Sequence, residues 1–326
     1  MIKIKICDLA PIGACSYYRG IGPLSKLREL NPEIQIEYLS GVAWFSLADC
    51  DILFLVRPVE NTYIEAIELA RSYGVPVWVD YDDCLHLVPE DNPGSDYFKQ
   101  EYLFKNIEYA LKVADIVTFS TSFLKEYYKD IRPDSIVIPN AFNDYNYPLA
   151  IAPNDTEIIS WRGSNTHRLD LLSQKQAMIE TAAAFPDWKW VFIGGDPLWY
   201  ITDDIKNSHG IKEMEIVRYN RFMMNLRPSI HITPLLSSDF NTAKSNIAFI
   251  EAVSAGSVCL GADLPEFRVP GCINYTDNFS YLLSKLIKSK SFRRENWEKS
   301  LTYIQDNLML SQINQKRIKI IEEVLK

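Results

Sequence analysis

The chain has 326 residues, 47% of them hydrophobic, which is apolar material for two cores of about 150 residues each. No stretch approaches the ~20 consecutive apolar residues of a membrane helix. Six scattered cysteines without a C-x-x-C spacing and four histidines without ligand spacing argue against a disulfide framework or a zinc site. In chain order, MIKIKICDLA opens as a short alternating strand, Ile2–Ile6, without the long apolar run of a signal peptide. With thiols that read as buried and reduced, it points to a soluble protein in reducing cytoplasm. A loop over 11–15 and a helix through Leu30 follow. Asp51–Val56 reads as a buried strand, Thr62–Tyr73 as a helix and Val75–Asp80 as a strand. Tyr97–Ala114 reads as a helix, Ile116–Phe119 as a strand, Thr121–Tyr128 as a helix and Ser135–Ile138 as a strand. Such alternation predicts parallel strands with helices on both faces.

Residues 140–156, rich in Asn, Asp and Pro and without periodicity, read as an interdomain linker. The alternation then restarts. Glu157–Trp161 and Trp188–Ile193 are strands around a helix, Leu169–Ala184, and the second strand ends in Gly194-Gly195-Asp196. Glu215–Arg218 and Ile230–Pro234 read as short strands, Asn246–Ala255 as a helix, Val258–Gly261 as a strand and Asn296–Lys326 as largely helical. In that tail Leu301, Ile304 and Leu308, then Ile318, Ile321 and Leu325, mark two apolar stripes out of phase, so a break is expected near Ser311–Asn314. The fold class is α/β, two Rossmann-like doubly wound domains. Such domains bind ligands beyond the carboxyl ends of their strands.

The most informative segment is PLLSSDFNTAKSNIAFIEAVSAGSVCLGADL, Pro234–Leu264. A strand ends at Pro234 and a helix begins near Ser245 or Asn246, with Ser245 as a suitable N-cap. A helix start presents unpaired N–H groups to an anion, and Lys244 adds a full charge beside it. The bland alternative is an ordinary amphipathic helix. The stretch resembles the donor-binding segment of family 4-type retaining glycosyltransferases of the GT-B fold, carried by Lys244, Ser245, Glu251-Ala252 and Ala255-Gly256. Ile136–Phe142 is similar to that family's Pro-Asn hinge, Glu157–Gly163 to the first strand of its second domain, and Trp190–Asp196 to its second strand and Gly-rich turn. The resemblance implies that Arg162, Lys244 and the Ser245–Asn246 helix start hold a donor diphosphate, and that Glu251 accepts from the nucleotide ribose. Gly194 belongs to the donor side. Arg168, beside His167, is the weaker match for a second cation. Where the family often has a glutamate, this chain has Ala243, so Asn241 or Asp239 takes the sugar-side contact.

In the first half, Gly13 and Arg19 lie where the family keeps a Gly-rich loop that approaches donor and acceptor, although a plain strand-to-helix turn accounts for them equally. Asp82 and Asp83, after the strand VPVWV, suit sugar or acceptor hydroxyls or simple helix capping. His86 fits the place of the family's cleft histidine or a structural role. No metal and no cofactor are expected. The resemblance implies domains at 1–142 (acceptor side) and 143–298 (nucleotide-sugar side) facing a central cleft, with residues 299–326 crossing back to the first domain. It implies transfer of a sugar from a nucleoside-diphosphate sugar, a UDP-sugar first, to an unidentified acceptor with retention. Residues 1–150 hold 13 Lys and Arg against 22 Asp and Glu, and residues 151–326 hold 21 against 20, within a total of −8. That balance counts against nucleic acid without excluding it. Two alternatives therefore stand: a glycosyltransferase acting on a hydroxymethylated base of DNA, and a non-catalytic sugar-nucleotide-binding module.

Overall fold

The computed structural model describes residues 1–8, 13–39, 41, 43–195 and 198–326, with residues 44, 45 and 199 in backbone only. The chain divides into two compact units: Met1–Asn146 with Ala243–Ser245 and Leu308–Lys326, and Tyr147–Thr242 with Asn246–Asn307. Each contains one parallel sheet of six strands.

In the first unit β1 (Ile2–Cys7), β2 (Ile34–Leu39), β3 (Ile52–Val56), β4 (Val77–Tyr81), β5 (Ile116–Phe119) and β6 (Ile136–Val137) run in the order β2-β1-β3-β4-β5-β6. The inner strands ILFLV and VWVDY are buried at every position, as parallel strands covered on both faces must be. The edge strand β2 escaped the sequence reading. Its IQIEYL pattern exposes Gln35 and Glu37 and lacks a continuous apolar run. Helices Asn61–Ser72, Glu101–Val113 and Ser122–Tyr127 connect the strands. Thr121 caps the last of these, its hydroxyl oxygen accepting from Leu124 N at 3.3 Å. Gly74, at φ 67°, closes the first in a left-handed conformation that a Cβ would resist. The expected helix after β1 is instead a π-helical turn, Ser16–Ile21, followed by short helical turns at Gly22–Leu24 and Leu27–Glu29.

The end of the chain completes this unit. Leu310, Ile313, Ile320 and Ile321 of the helix Leu310–Val324 join Ile4, Ile6, Leu24, Ile52 and Trp78 in one core. Of the expected stripe residues Ile304, Leu308 and Ile321 are buried and Ile318 packs against this core, whereas Leu325 is exposed. The helical break falls between Asn307 and Leu310, earlier than the sequence suggested. There the backbone leaves the helix to pair with Phe142, whose N–H donates to Leu308 O and whose O accepts from Leu310 N, each at 2.8 Å.

The second unit contains β7 (Ile158–Gly163), β8 (Lys189–Gly194), β9 (Ser208–Lys212), β10 (Ile230–Thr233), β11 (Val258–Ala262) and β12 (Ile273–Tyr275), in the order β12-β11-β10-β7-β8-β9. Counted from its own first strand this is the 3-2-1-4-5-6 order of dinucleotide-binding Rossmann folds, whereas the first unit has the flavodoxin-like order. The order reverses between β1 and β3 in one unit and between β7 and β10 in the other, and these switch points are where open α/β sheets bind ligands. The edge strands β9, polar in sequence (SHGIK), and β12, only three residues long, escaped the sequence reading. Glu215–Arg218, read as a strand, instead opens the helix Ile216–Leu226, whose Ile216, Tyr219 and Met223 share one buried face. The expected helix Leu169–Ala184 is split into Arg168–Leu172 and Lys175–Ala184.

Candidate functional site

At the switch point of the second sheet, Ser160 and Arg162 lie two residues apart on β7 and therefore share a face. His231 of β10 is the register partner of Ser160, and its Nδ1 lies 2.8 Å from the Ser160 hydroxyl. Arg162 Nη1 donates to Glu251 Oε1 at 3.1 Å and Oε2 at 3.3 Å, and the guanidinium stacks 4.7 Å from the Tyr219 ring centroid. Glu251 is 3% exposed and Arg162 23%, so the carboxylate is held in a largely dry place by a cation that still reaches the surface. A buried carboxylate without such a partner would be costly. Burial, helped by the Arg162 charge, pushes His231 down to about 3, which keeps the imidazole neutral. Arg162 and Glu251 were assigned from separate segments; the structure brings them into one ion pair. Sequence reasoning missed Ser160, Tyr219 and His231, whose residue types are ordinary for core positions.

The helix Ile247–Ser254 starts later than expected. Asn246 is its N-cap residue, without a side-chain capping bond, and its amide donates to Glu266 O at 2.9 Å. Ser245 does not cap: its hydroxyl accepts from Asn140 Nδ2 at 2.8 Å, and both residues belong to the first unit. Asn241 is buried and donates to Asp170 Oδ1 and to Leu236 O, each at 2.9 Å. Asp170 also accepts from Leu236 N at 2.8 Å and pairs with His167 Nδ1 at 2.9 Å. It thus ties the loops after β7 and β10 together, a role no sequence pattern signalled. Arg168 lies over the Tyr200 ring at 4.8 Å, and Asp239 is exposed. Gly194 faces Gly163 across β7 and β8, and a Cβ on it would meet the Gly163 carbonyl oxygen at 2.0 Å. That close approach alone demands glycine. Asp196 of the expected Gly-Gly-Asp turn lies outside the described residues.

In the first unit the carboxyl ends of β3 and β4 carry a charged cluster. Arg57 Nε donates to Asp82 Oδ1 at 3.0 Å, and its Nη2 is paired with Asp83 Oδ2. Lys244 Nζ contacts the other Asp83 oxygen, Oδ1, at 3.3 Å. Arg57 has φ 49°, a left-handed conformation that costs a residue with a Cβ roughly 1–2 kcal/mol, and its N–H donates to Asp80 O at 2.8 Å. Asp82 and Asp83 are thus engaged by side chains, and the turn they enter, Leu85–Leu87, is preceded by Cys84. The Cys15 thiol comes close enough that its sulfur and one oxygen of each aspartate lie within 4.8 Å of one another. Burial raises the thiol's pKa, opposed by Arg57 and reinforced by Asp82 and Asp83, so it stays protonated. A protonated thiol is a poor metal ligand, and the two carboxylates meet cations of the chain itself, Arg57 and Lys244.

Arg19 is placed differently from expectation. It is fully buried in the π-helical turn, with Nε on Asp80 Oδ1 (2.8 Å), Nη2 on Asp80 Oδ2 (2.9 Å), and Nη1 on Ile138 O (2.8 Å) and Asn140 Oδ1 (3.0 Å). A guanidinium so enclosed pins the π-helical turn, β4 and the segment after β6 together and offers no surface to an acceptor. Gly13 is exposed, its carbonyl accepting from Tyr17 N at 3.0 Å. His86 stacks on Phe104 with centroids 4.5 Å apart, and its Nδ1 lies 2.8 Å from the Tyr128 hydroxyl. Burial lowers its pKa, against the pull of Glu108. Ala243 is buried, and its carbonyl accepts from Thr121 Oγ1 at 3.0 Å.

No family model matches the sequence, and no curated protein matches it. Solved structures do. An α,α-trehalose-phosphate synthase (UDP-forming) from Burkholderia vietnamiensis aligns over 100% of both chains, with a TM-score of 0.60 and 13% identity. An α-glucosyltransferase, solved with UDP and a 13-mer DNA containing an HMU base, aligns over 98% of this chain and 99% of its own, with a TM-score of 0.61 and 13% identity. The chain has the GT-B fold. The pneumococcal O-GlcNAc transferase GtfA, solved with UDP and GlcNAc, aligns over 84% of this chain at 14% identity and a TM-score of 0.57, and this chain spans 57% of its length. The Arg162–Glu251 cluster sits at the switch point of its sheet, and the Arg57 cluster at the carboxyl ends of β3 and β4 in the other. Arg57 was the residue hardest to foresee. Its signal is a left-handed backbone at a strand end, which a sequence does not display.

Proposed function

We propose that the protein is a glycosyltransferase that moves a sugar from a nucleoside-diphosphate sugar, a UDP-sugar first, onto an acceptor with retention of anomeric configuration. The observation that carries this reading is the Arg162–Glu251 pair at the β7–β10 switch point of a GT-B fold. A carboxylate held by a guanidinium offers acceptor oxygens, which suit the hydroxyls of a ribose. Arg162 and Lys244 are the cations assigned to the diphosphate, whose negative charge grows as the bond to the anomeric carbon breaks. As the acceptor oxygen forms its bond to that carbon, its proton passes to the departing phosphate oxygen, so the reaction requires no separate base. Asp82 and Asp83, with His86 nearby in sequence, are assigned to acceptor or sugar hydroxyls. A second reading, transfer to a hydroxymethylated base of DNA, draws on the likeness to the α-glucosyltransferase solved with HMU-containing DNA.

The deciding experiment is a thermal-shift panel of UDP-, GDP-, ADP- and dTDP-sugars. A ligand at ~100 times its dissociation constant adds about 2.7 kcal/mol to stability. One base is expected to raise the melting temperature, with slow release of its diphosphate. If none of the four stabilises the protein, the reading is wrong.

A further inference from the structure

We infer that Arg57 is a positioning residue for this transfer, acting through Asp83 on Lys244; the inference rests on the glycosyltransferase reading above. The contacts form a chain. Arg57 grips Asp82 through Nε and Asp83 through Nη2, which leaves Asp83 Oδ1 turned toward Lys244 Nζ at 3.3 Å. All four residues belong to the first unit. A lysine ammonium is a point charge on a flexible stem and does not fix its own position. Asp83, tied by a charge-assisted hydrogen bond to a guanidinium that is itself anchored on Asp82, supplies that fixity. Lys244 is thereby held before any phosphate arrives, so less side-chain freedom remains to be lost on binding.

Two further observations distinguish this arrangement from a decorative ion pair. Arg57 occupies a left-handed backbone position, φ 49°, where glycine would sit without strain. The position therefore retains a long cationic side chain against its local preference. The side chains of Arg57, Asp82 and Asp83 are 21%, 12% and 22% exposed, so the fork works where water screens it only in part. Arg57 offsets part of the charge of two neighbouring carboxylates, Lys244 adding the second cation, and it fixes the direction of the oxygens it binds.

The test is a double-mutant cycle on nucleoside-diphosphate affinity. The probe is whichever of UDP, GDP, ADP and dTDP the wild type binds, and binding is measured by calorimetry. Arg57→Gln should weaken binding about tenfold, within the range that contacting charged residues show. Lys244→Ala should weaken it at least as much, and in the Lys244→Ala background Arg57→Gln should have almost no further effect. Arg57→Gly guards against simple misfolding: it removes the fork and relieves the backbone, so it should keep a cooperative melting transition yet show the same loss of affinity. Equal effects of Arg57→Gln in both backgrounds, or unchanged affinity in Arg57→Gln and Arg57→Gly, would overturn the assignment while leaving the donor reading intact. A wild type that binds none of the four probes removes both.

Discussion

At the scale of single residues, the second unit makes its charges interdependent. Arg162 is held by Glu251 and Tyr219, so replacing it removes the cation assigned to the donor and strands a buried carboxylate. Arg162→Ala and Lys244→Ala are each expected to lower turnover by a factor of ~100 or more, the size of effect that follows loss of one charge-stabilising donor. Near-normal rates in both variants at saturating donor would defeat the assignment. Glu251→Gln is expected to raise the donor dissociation constant more than it lowers the chemical rate, since a ribose contact is equal in ground and transition states. His231 carries a different expectation. Its folded pKa of about 3 lies below the ordinary 6.5, so between those values the unfolded chain binds the extra proton. This residue's contribution therefore falls as pH drops through that window, by up to roughly 1.4 kcal/mol per pH unit. Denaturation midpoints of His231→Asn from pH 6.5 down to 4 should fall less steeply than those of the wild type. Parallel curves would show that the imidazole is not the group responsible.

At the scale of elements, the last helix is part of the first unit's core. Leu310, Ile313, Ile320 and Ile321 pack on β-strand residues from the start of the chain, whereas Leu325 lies outside. Ile313→Ala should cost about 2–4 kcal/mol in urea denaturation, because it leaves a cavity among fully buried neighbours. Leu325→Ala should stay within ~0.5 kcal/mol. Similar values for the two would mean that the helix does not pack as described. The sequence supplied the amphipathic character of this tail and most of its inward face but misplaced its break and Leu325. The break is decided by Phe142, whose backbone bonds draw residues 308–310 out of the helix, and nothing local to the tail carries that information.

At the scale of the whole molecule, charge bears on the choice of acceptor. A first half carrying 22 acidic against 13 basic residues repels a polyanion unless a local groove opposes it. Duplex DNA is therefore expected to bind weakly, with few counterions released. A plot of log affinity against log salt steeper than about −4, reporting four or more phosphate contacts, would restore DNA as the acceptor.

What the sequence by itself determined is the part of the molecule that repeats at short range. Apolar runs alternating with amphipathic stretches fixed two doubly wound sheets, because the faces of strands and helices are set by periods of two and 3.6 residues. The resemblance around Lys244 and Glu251 named two residues that the structure finds in charged clusters. Tertiary structure alone decided their partners. Arg162 meets Glu251 across 89 residues and Lys244 meets Asp83 across 161. Arg19, expected in a loop that approaches donor and acceptor or in a plain turn, is enclosed by Asp80, Ile138 and Asn140. Such pairings follow from strand order and crossover connections, which bring distant segments to neighbouring strand ends. No local periodicity encodes them, so the chemistry of each cluster becomes visible only once the sheets are assembled.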